Sequence, residues 1–255
     1  MKTITITVAI LFVVCLMVQP QLSVAVDDGI VAYWAFNDNG GNTASDSTGN
    51  GYDGDLIGDP QWVDGYYGGG LEFDQVEDEV NVPFHENLNQ ETFTICAWAN
   101  VEPGSTNHRA VVSSRDDFPQ RGYIFYAEPG NTWQYWTGGG PNHWQPIQGP
   151  AVNLGEWDHL AGTYTDGKMM FYVNGELVGE RDTEIHVNPA QEFLIGAGAN
   201  ETANHNYFFK GIIDEVRLYD RVLDEDEIAD VMESESLAVE ATGKLALTWG
   251  QLKAK

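Results

Sequence analysis

The sequence predicts an all-β fold, a sandwich or barrel of antiparallel strands, on three observations. Short runs of β-branched and aromatic residues recur along the chain, and Gly, Asn, Asp or Pro stands in nearly every gap between them. Two tight turns, Asp166-Gly167 and Asn174-Gly175, join three such runs between positions 155 and 179. These dipeptides supply the positive φ angles of two-residue hairpin turns, so the runs around them are expected to pair as antiparallel strands. Only one segment has the periodicity of a helix.

The predicted strands begin near position 30 and continue to position 219, and each is a short apolar or alternating run that ends at turn residues. Besides the hairpins at 155–179, they are Ile30–Phe36, Gly70–Phe73, Asp78–Val82, Thr92–Asn100, Ala110–Ser114, Tyr123–Tyr126, Thr132–Trp136, Glu192–Ile195 and Gly211–Tyr219. The helix follows the last strand. Asp224 and Glu227 have the spacing of a capping box, and Ile228, Val231 and Met232 then share one face.

The composition is strongly acidic. The 255 residues include 12 Lys and Arg against 39 Asp and Glu, a formal net charge of −27. Such a surface repels the phosphates of nucleic acids and the headgroups of anionic membranes, which argues against both as partners. It favours divalent cations and neutral ligands, although an acidic surface also simply keeps a secreted protein soluble.

The chain divides into a leading segment, one domain and a tail. Residues 1–25 have a positive start, an apolar stretch at 8–18 and small residues before the cleavage point, as in a secretory signal peptide. We therefore predict a secreted protein, extracellular or periplasmic, with one domain over 26–233 and no membrane insertion after cleavage. The tail, 234–255, is a docking or sorting segment, an additional strand or a flexible end. Cleavage leaves Cys96 as the one cysteine, which we expect to be a small buried apolar residue.

Four blocks of sequence resemble the laminin G-like family, a branch of the concanavalin A-like jelly rolls, in its bacterial secreted form. They lie at 46–54, 93–98, 155–179 and 209–223, in the order in which the family has them. The resemblance implies a two-sheet antiparallel jelly-roll sandwich with one short C-terminal helix. It also implies that the first and last strands lie side by side.

The loop after the first strand is a candidate calcium site. Hard cations prefer several oxygen ligands from carboxylates, amide carbonyls and the backbone. Asp46 and Asn50 offer such oxygens, with Gly51 beside them. The family resemblance adds Asp214 on the last strand and implies a structural role for the ion. The alternative is an Asx turn, in which Asp46 and Asn50 bind their own backbone.

A cluster of aromatic residues is a candidate carbohydrate-binding surface. Sugar sites combine flat aromatic rings with amide and carboxylate partners. Three of the eight tryptophans lie between positions 133 and 144, and a Gly/Pro-rich stretch at 138–145 predicts a loop that carries the last of them outward. The predicted ligand-binding residues are Trp133, Tyr135, Trp136, Asn142, His143 and Trp144.

Glycosidase chemistry is the competing interpretation. The glucanases that share the predicted fold place three acids at i, i+2 and i+4 on one strand. Here Glu77 and Glu79 have the first spacing, but Asn81 takes the third place. Asp214 and Glu215 are adjacent, so they face opposite sides of a strand. Hydrolysis needs two carboxyl groups about 5 to 10 Å apart, and no strand carries the full triplet.

The sequence therefore predicts a secreted, non-catalytic binding module with a structural calcium. Its partner is expected to be extracellular carbohydrate or a protein at the cell surface. A glycoside hydrolase or lyase of the same superfamily is the first alternative. A structural spacer or adhesion domain without a glycan site is the second.

Overall fold

A computed structural model of the chain describes residues 28–141, 143–199 and 204–234. The predicted signal peptide 1–25, residues 235–255 of the tail and Asn142 lie outside the described residues. The strands of the described part are β1 Ile30–Trp34, β2 Thr43–Ala44, β3 Gly54–Ile57, β4 Gln61–Asp64, β5 Gly69–Asp74, β6 Glu79–Val82, β7 Phe93–Val101, β8 Arg109–Asp117, β9 Gln120–Ala127, β10 Thr132–Gly139, β11 Trp144–Ala151, β12 Trp157–Thr165, β13 Lys168–Val173, β14 Glu176–Asp182, β15 Phe193–Ile195, β16 Gly198–Ala199, β17 His205–Asn206 and β18 Lys210–Tyr219. A 3-10 turn, Glu86–Leu88, precedes β7, and helix α1, Glu225–Glu233, follows β18.

Two antiparallel sheets form the body of the domain. Sheet A has the strand order β14-β13-β12-β7-β18-β5-β4, with β1 also paired to β18. Sheet B has the order β11-β10-β9-β8-β15-β6-β3-β2. The first and last strands pair directly, with Ile30 opposite Tyr219 and Trp34 opposite Val216. The predicted two-sheet sandwich, its C-terminal helix and the pairing of its end strands are confirmed.

The predicted turns at 155–179 have the expected backbone geometry. Asp166 and Gly167 have φ angles of 46° and 81°, and Asn174 and Gly175 have 52° and 78°. Positive φ at both central residues is what a two-residue turn between twisted strands requires. The strands β12, β13 and β14 pair in sequence order across these turns.

The core lies between the two sheets and follows the two-residue period of the strands. In β7, Phe93, Ile95 and Ala97 belong to the main apolar core. Cys96, between them, points to the opposite face, where it is fully buried. Burial raises the pKa of the Cys96 thiol to about 12, so it stays protonated and inert, as expected of a buried apolar residue.

Helix α1 covers part of the outer face of sheet A. The side chain of Asp224 accepts from the N–H of Glu227, and Glu227 accepts from the N–H of Asp224, so the predicted capping box is present. Ile228 and Val231 are buried against a second apolar cluster that includes Cys96. No helix among the described residues is long and apolar enough to cross a membrane.

A buried ionic network ties α1 to the strands below it. Arg217, on β18, is 2.5 Å from Glu215, and the Tyr33 hydroxyl on β1 donates to the same carboxylate at 2.7 Å. Arg217 also donates to the carbonyl oxygen of Val231 at 3.0 Å and to the hydroxyl of Ser234 at 2.8 Å. A cation at this end of a helix binds free carbonyls and complements the helix dipole.

His159, on β12, is buried beside this network. Its ring packs edge-on to Trp98, with centroids 5.1 Å apart. Burial, with a smaller contribution from the positive charge of Arg217, lowers the pKa of His159 to about 3. The imidazole is therefore neutral and structural at neutral pH.

The buried network predicts a large difference between two ion pairs of this chain. Arg217→Met leaves Glu215 in the interior without its cation, and we expect a loss of about 3–5 kcal/mol in the free energy of unfolding. The control is Lys168→Met, which removes an exposed pair with Glu180 and is expected to change stability within experimental error. Urea unfolding of both variants measures the difference. Equal losses of unfolding free energy in the two variants would contradict the structural role assigned to the buried Arg217–Glu215 pair.

The neutral state of His159 predicts acid sensitivity. The unfolded histidine has a pKa of about 6.5, so between about pH 3 and pH 6.5 the unfolded chain binds more protons than the folded one. The stability held above pH 6.5 is lost as the pH falls through this window, by up to about 1.4 kcal/mol per pH unit. In urea unfolding from pH 7 to pH 4, His159→Gln is expected to flatten the pH dependence relative to the parent protein. Parallel profiles for the two proteins would refute the prediction.

Candidate functional site

The outer face of sheet B, the face turned away from the core, carries residues aligned across the strands. From β6 to β11 the register places in one row Asn81, Leu194, Ser113, Ile124, Trp136 and Pro146. The adjacent Val80 and Ile195 point inward and are fully buried in the core. Because successive side chains alternate between faces, the row forms a continuous strip on the outside of the sandwich.

A parallel row two residues along brings Arg115 to Trp144. Arg115 is opposite Gly122, Gly122 is opposite Gly138, and Gly138 is opposite Trp144. Neighbouring strands are about 4.8 Å apart, so these two backbones are about 14 Å apart across the sheet. No side chain stands between them, and the guanidinium of Arg115 reaches to 4.7 Å from the ring centroid of Trp144. A cation–π contact of this kind is favourable.

Arg115 is held in place by a desolvated ion pair. Both its side chain and that of Asp117 are nearly fully buried, and one guanidinium nitrogen donates to both Asp117 oxygens at 2.6 Å. A second nitrogen donates to the Tyr126 hydroxyl. The indole N–H of Trp144 donates to Asp117 at 2.9 Å. The pair therefore fixes both the cation and the orientation of the Trp144 ring.

Tyr207, just after β17, packs over the outer face of sheet B beside Tyr126 and Arg115. Its ring lies 5.4 Å from that of Tyr126 and 5.6 Å from that of His108, both in edge-on contact. The Arg115 guanidinium is 5.7 Å from the Tyr207 centroid, so it touches rings on both walls. Together these groups enclose a cavity of about 180 Å³ lined by His108, Arg115, Ile124, Tyr126, Trp136, Trp144 and Tyr207. We call it the aromatic pocket.

A network of amide and carboxylate groups borders the aromatic pocket. The indole N–H of Trp136 donates to the side-chain oxygen of Gln134 at 2.8 Å. Gln134 in turn donates to Glu128 at 3.1 Å and to Gln148 at 3.4 Å. Gln148 is exposed and donates to the hydroxyl of Thr132 at 2.9 Å. The pocket thus has hydrogen-bonding groups beside its apolar walls, as sugar sites do.

Two of the predicted ligand residues are in the core. Trp133 and Tyr135 are both 0 % exposed and pack in the main core cluster, because they occupy the inward positions of β10. The indole N–H of Trp133 is satisfied internally by Asp158 at 2.8 Å. The assignment of these two residues to a ligand surface is wrong. Trp136, on the alternate face, is half-buried and lines the aromatic pocket.

The predicted loop at 138–145 is shorter in the structure, because its two ends belong to strands. Strand β10 extends to Gly139 and β11 begins at Trp144, which leaves a short turn between them. Trp144 therefore points into the pocket from the start of a strand instead of standing on a loop. His143 is an exposed turn residue whose carbonyl accepts from Gly139, and it does not line the pocket. Asn142 lies outside the described residues.

Five pocket residues were missed from the sequence: His108, Arg115, Ile124, Tyr126 and Tyr207. Arg115 had a local signal, since Ser113, Arg115 and Asp117 alternate with other residues along one predicted strand and its extension. Tyr207 had none. It reaches the pocket from a part of the chain more than sixty positions beyond Trp144.

The family model for the concanavalin A-like lectin/glucanases superfamily, Laminin_G_3, matches residues 74–229. The chain belongs to this superfamily. The match covers more than half of the chain, and it confirms the laminin G-like resemblance of its sequence blocks. No curated protein matches the chain in sequence.

Solved structures of binding domains share the fold. The binding domain of Paraclostridial mosquitocidal protein 1 is similar with a TM-score of 0.66 and 17% identity, over 81% of this chain and 52% of that one. A second similar structure is domain 4 of AbnA, a GH43 extracellular arabinanase from Geobacillus stearothermophilus, in complex with arabinotriose. Its TM-score is 0.60 and its sequence identity 22%, over 79% of this chain and 97% of that one. A third is the binding domain of botulinum neurotoxin DC in complex with rat synaptotagmin II, with a TM-score of 0.65 and 18% identity, over 84% of this chain and 53% of that one. The chain spans about half the length of the first and third.

The calcium ligands predicted in the early loop are engaged with hydrogen-bond donors. Asp46 accepts from the backbone N–H groups of Tyr33, Thr48 and Tyr52 at 3.0–3.2 Å and from the Thr48 hydroxyl at 2.7 Å. Asn50 donates to the carbonyl of Val31 at 2.9 Å. This is the Asx-turn alternative, in which the Asp46 carboxylate organises its own loop. Gly51 allows the turn with φ 89°.

Asp214 does not complete a calcium site either. It is fully buried, and its carboxyl oxygens accept from the backbone N–H groups of Tyr66, Tyr67 and Glu215 at 2.7–3.0 Å. Burial raises the pKa of Asp214 to about 7, which further weakens it as a cation ligand. Within the described ranges no three acidic, His or Cys side chains are grouped to hold a metal. Asp46, Asn50 and Asp214 are thus each engaged with backbone groups, an arrangement that does not favour a cation there, and the structural calcium stays a prediction.

The acids predicted for a hydrolase have separate roles. Glu77 is exposed in the turn before β6, whereas Glu79 is buried on the outer face of sheet B. Glu79 hydrogen-bonds His205 at 2.8 Å, which raises the pKa of that histidine. Glu215 is paired with Arg217 in the network under α1. The predicted i, i+2 pair therefore does not point into one cleft.

The two faces of β10 predict losses of stability of unequal size for the same substitution, tryptophan to alanine. Trp133→Ala empties a fully buried position and is expected to cost about 3–5 kcal/mol of unfolding free energy. Trp136→Ala removes a half-buried ring at a pocket wall and is expected to cost well under half as much, because water fills the space. Urea unfolding at fixed pH compares the two. A larger loss for Trp136→Ala would contradict the assignment of the faces.

Proposed function

We propose that this domain is a non-catalytic, extracellular binding module that takes a carbohydrate in the aromatic pocket. One observation carries the proposal: Trp136, Trp144 and Tyr207 surround a cavity of about 180 Å³ on the outer face of sheet B. Sugar rings present apolar C–H faces that pack on aromatic side chains. The predicted signal peptide supports a location outside the cell.

The polar groups beside the pocket can orient a sugar ring, which aromatic stacking alone does not do. Gln148 is exposed beside the pocket, and Glu128 and Gln134 stand behind it. Amide and carboxylate groups exchange hydrogen bonds with sugar hydroxyls in both directions, as donors and as acceptors. A ring held by the walls is thereby oriented by its hydroxyl groups.

The charge of the site favours a neutral ligand. Arg115 is the cation of the pocket wall, and its charge is balanced within 2.6 Å by Asp117. The chain as a whole carries −27. An anionic ligand gains no net attraction at the balanced pair and is repelled by the surrounding surface.

Proteins of the same fold bind this class of ligand. Domain 4 of the Geobacillus arabinanase is described in complex with arabinotriose, and a botulinum toxin binding domain in complex with synaptotagmin. The second example makes a protein at the cell surface the alternative partner. The small pocket favours the sugar, since protein interfaces of specific complexes are broad surfaces of about 800 Å² per partner.

Removal of either tryptophan is expected to abolish glycan binding without unfolding the domain. Trp136→Ala and Trp144→Ala should each weaken binding about tenfold or more, as loss of an aromatic anchor does. Affinity electrophoresis in gels containing linear arabinan, xylan, galactan or laminarin provides the measurement. The matched control is Tyr66→Ala, an aromatic residue 38 % exposed that stacks on Trp98 of sheet A. Unchanged retention of both tryptophan variants would remove the proposed site.

A further inference from the structure

We infer that the aromatic pocket takes one terminal sugar ring, the end or a side branch of a glycan chain, and does not bind the interior of a chain. The inference rests on the proposed function and specifies its ligand. It follows from three features of the described residues: the size of the pocket, the hairpin that blocks the direction across the strands, and the exposed edge strand β11 on the other side.

The pocket holds about one ring. Its volume of about 180 Å³ is below the ~300–1,000 Å³ of pockets that enclose larger ligands. The Arg115 guanidinium lies 4.7 Å from the ring centroid of Trp144 and 5.7 Å from that of Tyr207, so that end of the pocket is filled by a buried cation. A second ring has no space beyond Arg115.

The hairpin of β16 and β17 blocks the strip across the strands. Gly198 of β16 packs so closely on the sheet that a Cβ atom there would lie 2.7 Å from Ile124 and 3.4 Å from Ala110. Tyr207 follows β17 and continues the barrier over Tyr126. A glycan lying across the strands from Trp136 therefore meets backbone at Ile124 and stops there.

Beyond the hairpin the surface lacks the means to hold a further sugar by stacking. The strip continues through Leu194 to Asn81, with Glu79 beside it. Glu79 is committed to His205, which is on the hairpin itself. Glu79 and His205 are joined by a 2.8 Å contact that is an ion pair when the histidine is protonated, and the strip residues Leu194 and Asn81 are not aromatic. The outer face is thus split into an aromatic half and an ionic half.

The open side lies over β11, the edge strand of sheet B. Pro146 ends the strip there, and Gln148 on the same strand is exposed. The rest of a glycan whose last ring fills the pocket leaves across this edge into solvent. A chain end or a side branch fits a one-ring pocket that is filled at Arg115 and blocked at the hairpin.

Chain ends are counted by comparing intact and partly hydrolysed polymers. Linear arabinan, xylan, galactan and laminarin are each tested intact and after acid hydrolysis to about a tenth of their mean length, at equal mass, in pull-down assays with the full chain. If the pocket binds chain ends, the protein bound per gram of polysaccharide is expected to rise about tenfold after hydrolysis. If it binds chain interiors, the amount is expected to stay constant or fall, because shorter chains offer fewer overlapping sites. Trp144→Ala serves as the control for binding through the pocket.

Oligosaccharide titrations supply an independent readout. Affinity per chain is expected to differ by less than about threefold between a disaccharide and a hexasaccharide of the polymer that binds, since additional rings stay in solvent. An increase of about tenfold or more with length, together with constant binding per gram, would overturn end recognition while leaving the proposed carbohydrate function intact. No retention by any of the four polymers, or retention insensitive to Trp144→Ala, would overturn both.

Discussion

The domain depends on the central position of its last strand. β18 comes from the end of the domain, yet it pairs with β1, β5 and β7 and so joins both halves of sheet A. Its Arg217 and Glu215 are buried as a pair, and Arg217 also holds the end of α1. A charge in this position is tolerated only when every partner is present, so strand pairing and helix docking must occur together. Sheet A becomes a rigid support on which sheet B is packed.

Sheet B carries the proposed binding surface, and no helix of the described residues covers its outer face. Its register lines up side chains from six strands, and the glycines opposite Arg115 leave room for a long side chain to cross the sheet. The buried Arg115–Asp117 pair then holds Trp144 from behind. The pocket is therefore preorganised: its walls are fixed by hydrogen bonds and cation–π contacts before any ligand arrives.

Local patterns predicted the fold well and the site only in part. The turns at Asp166-Gly167 and Asn174-Gly175, the capping box of α1 and the long core strands have strong short-range signals. The short strands β2 to β4, β16 and β17 were missed, and β11 was not predicted, since its first two residues fall in the Gly/Pro-rich stretch expected to be a loop. Edge and two-residue strands are formed by their neighbours, and their own sequences carry little preference.

The errors at the site arise because local sequence does not specify which groups the tertiary fold brings together. Alternation along β10 separates its aromatic residues into two faces, but it does not say which face is inside, and Trp133 with Tyr135 went to the core. Carboxylates that organise loops and carboxylates that bind cations have the same local sequence, so the sequence did not separate the Asx turn at Asp46 from a calcium site. Tyr207 and Arg115 meet only through the tertiary fold.

The two glycines under the pocket also limit how its chemistry can change. A Cβ atom at Gly122 would lie 1.7 Å from the carbonyl oxygen of Ser114, and one at Gly138 would lie 2.6 Å from the backbone nitrogen of Arg121. Gly122 also has φ 78°, which other residues rarely adopt. Neither glycine can therefore be replaced by a larger residue to change the floor of the pocket. New ligand preferences in this architecture are therefore expected to arise in the turn before Trp144, since connecting turns vary in length and sequence more freely than strands do.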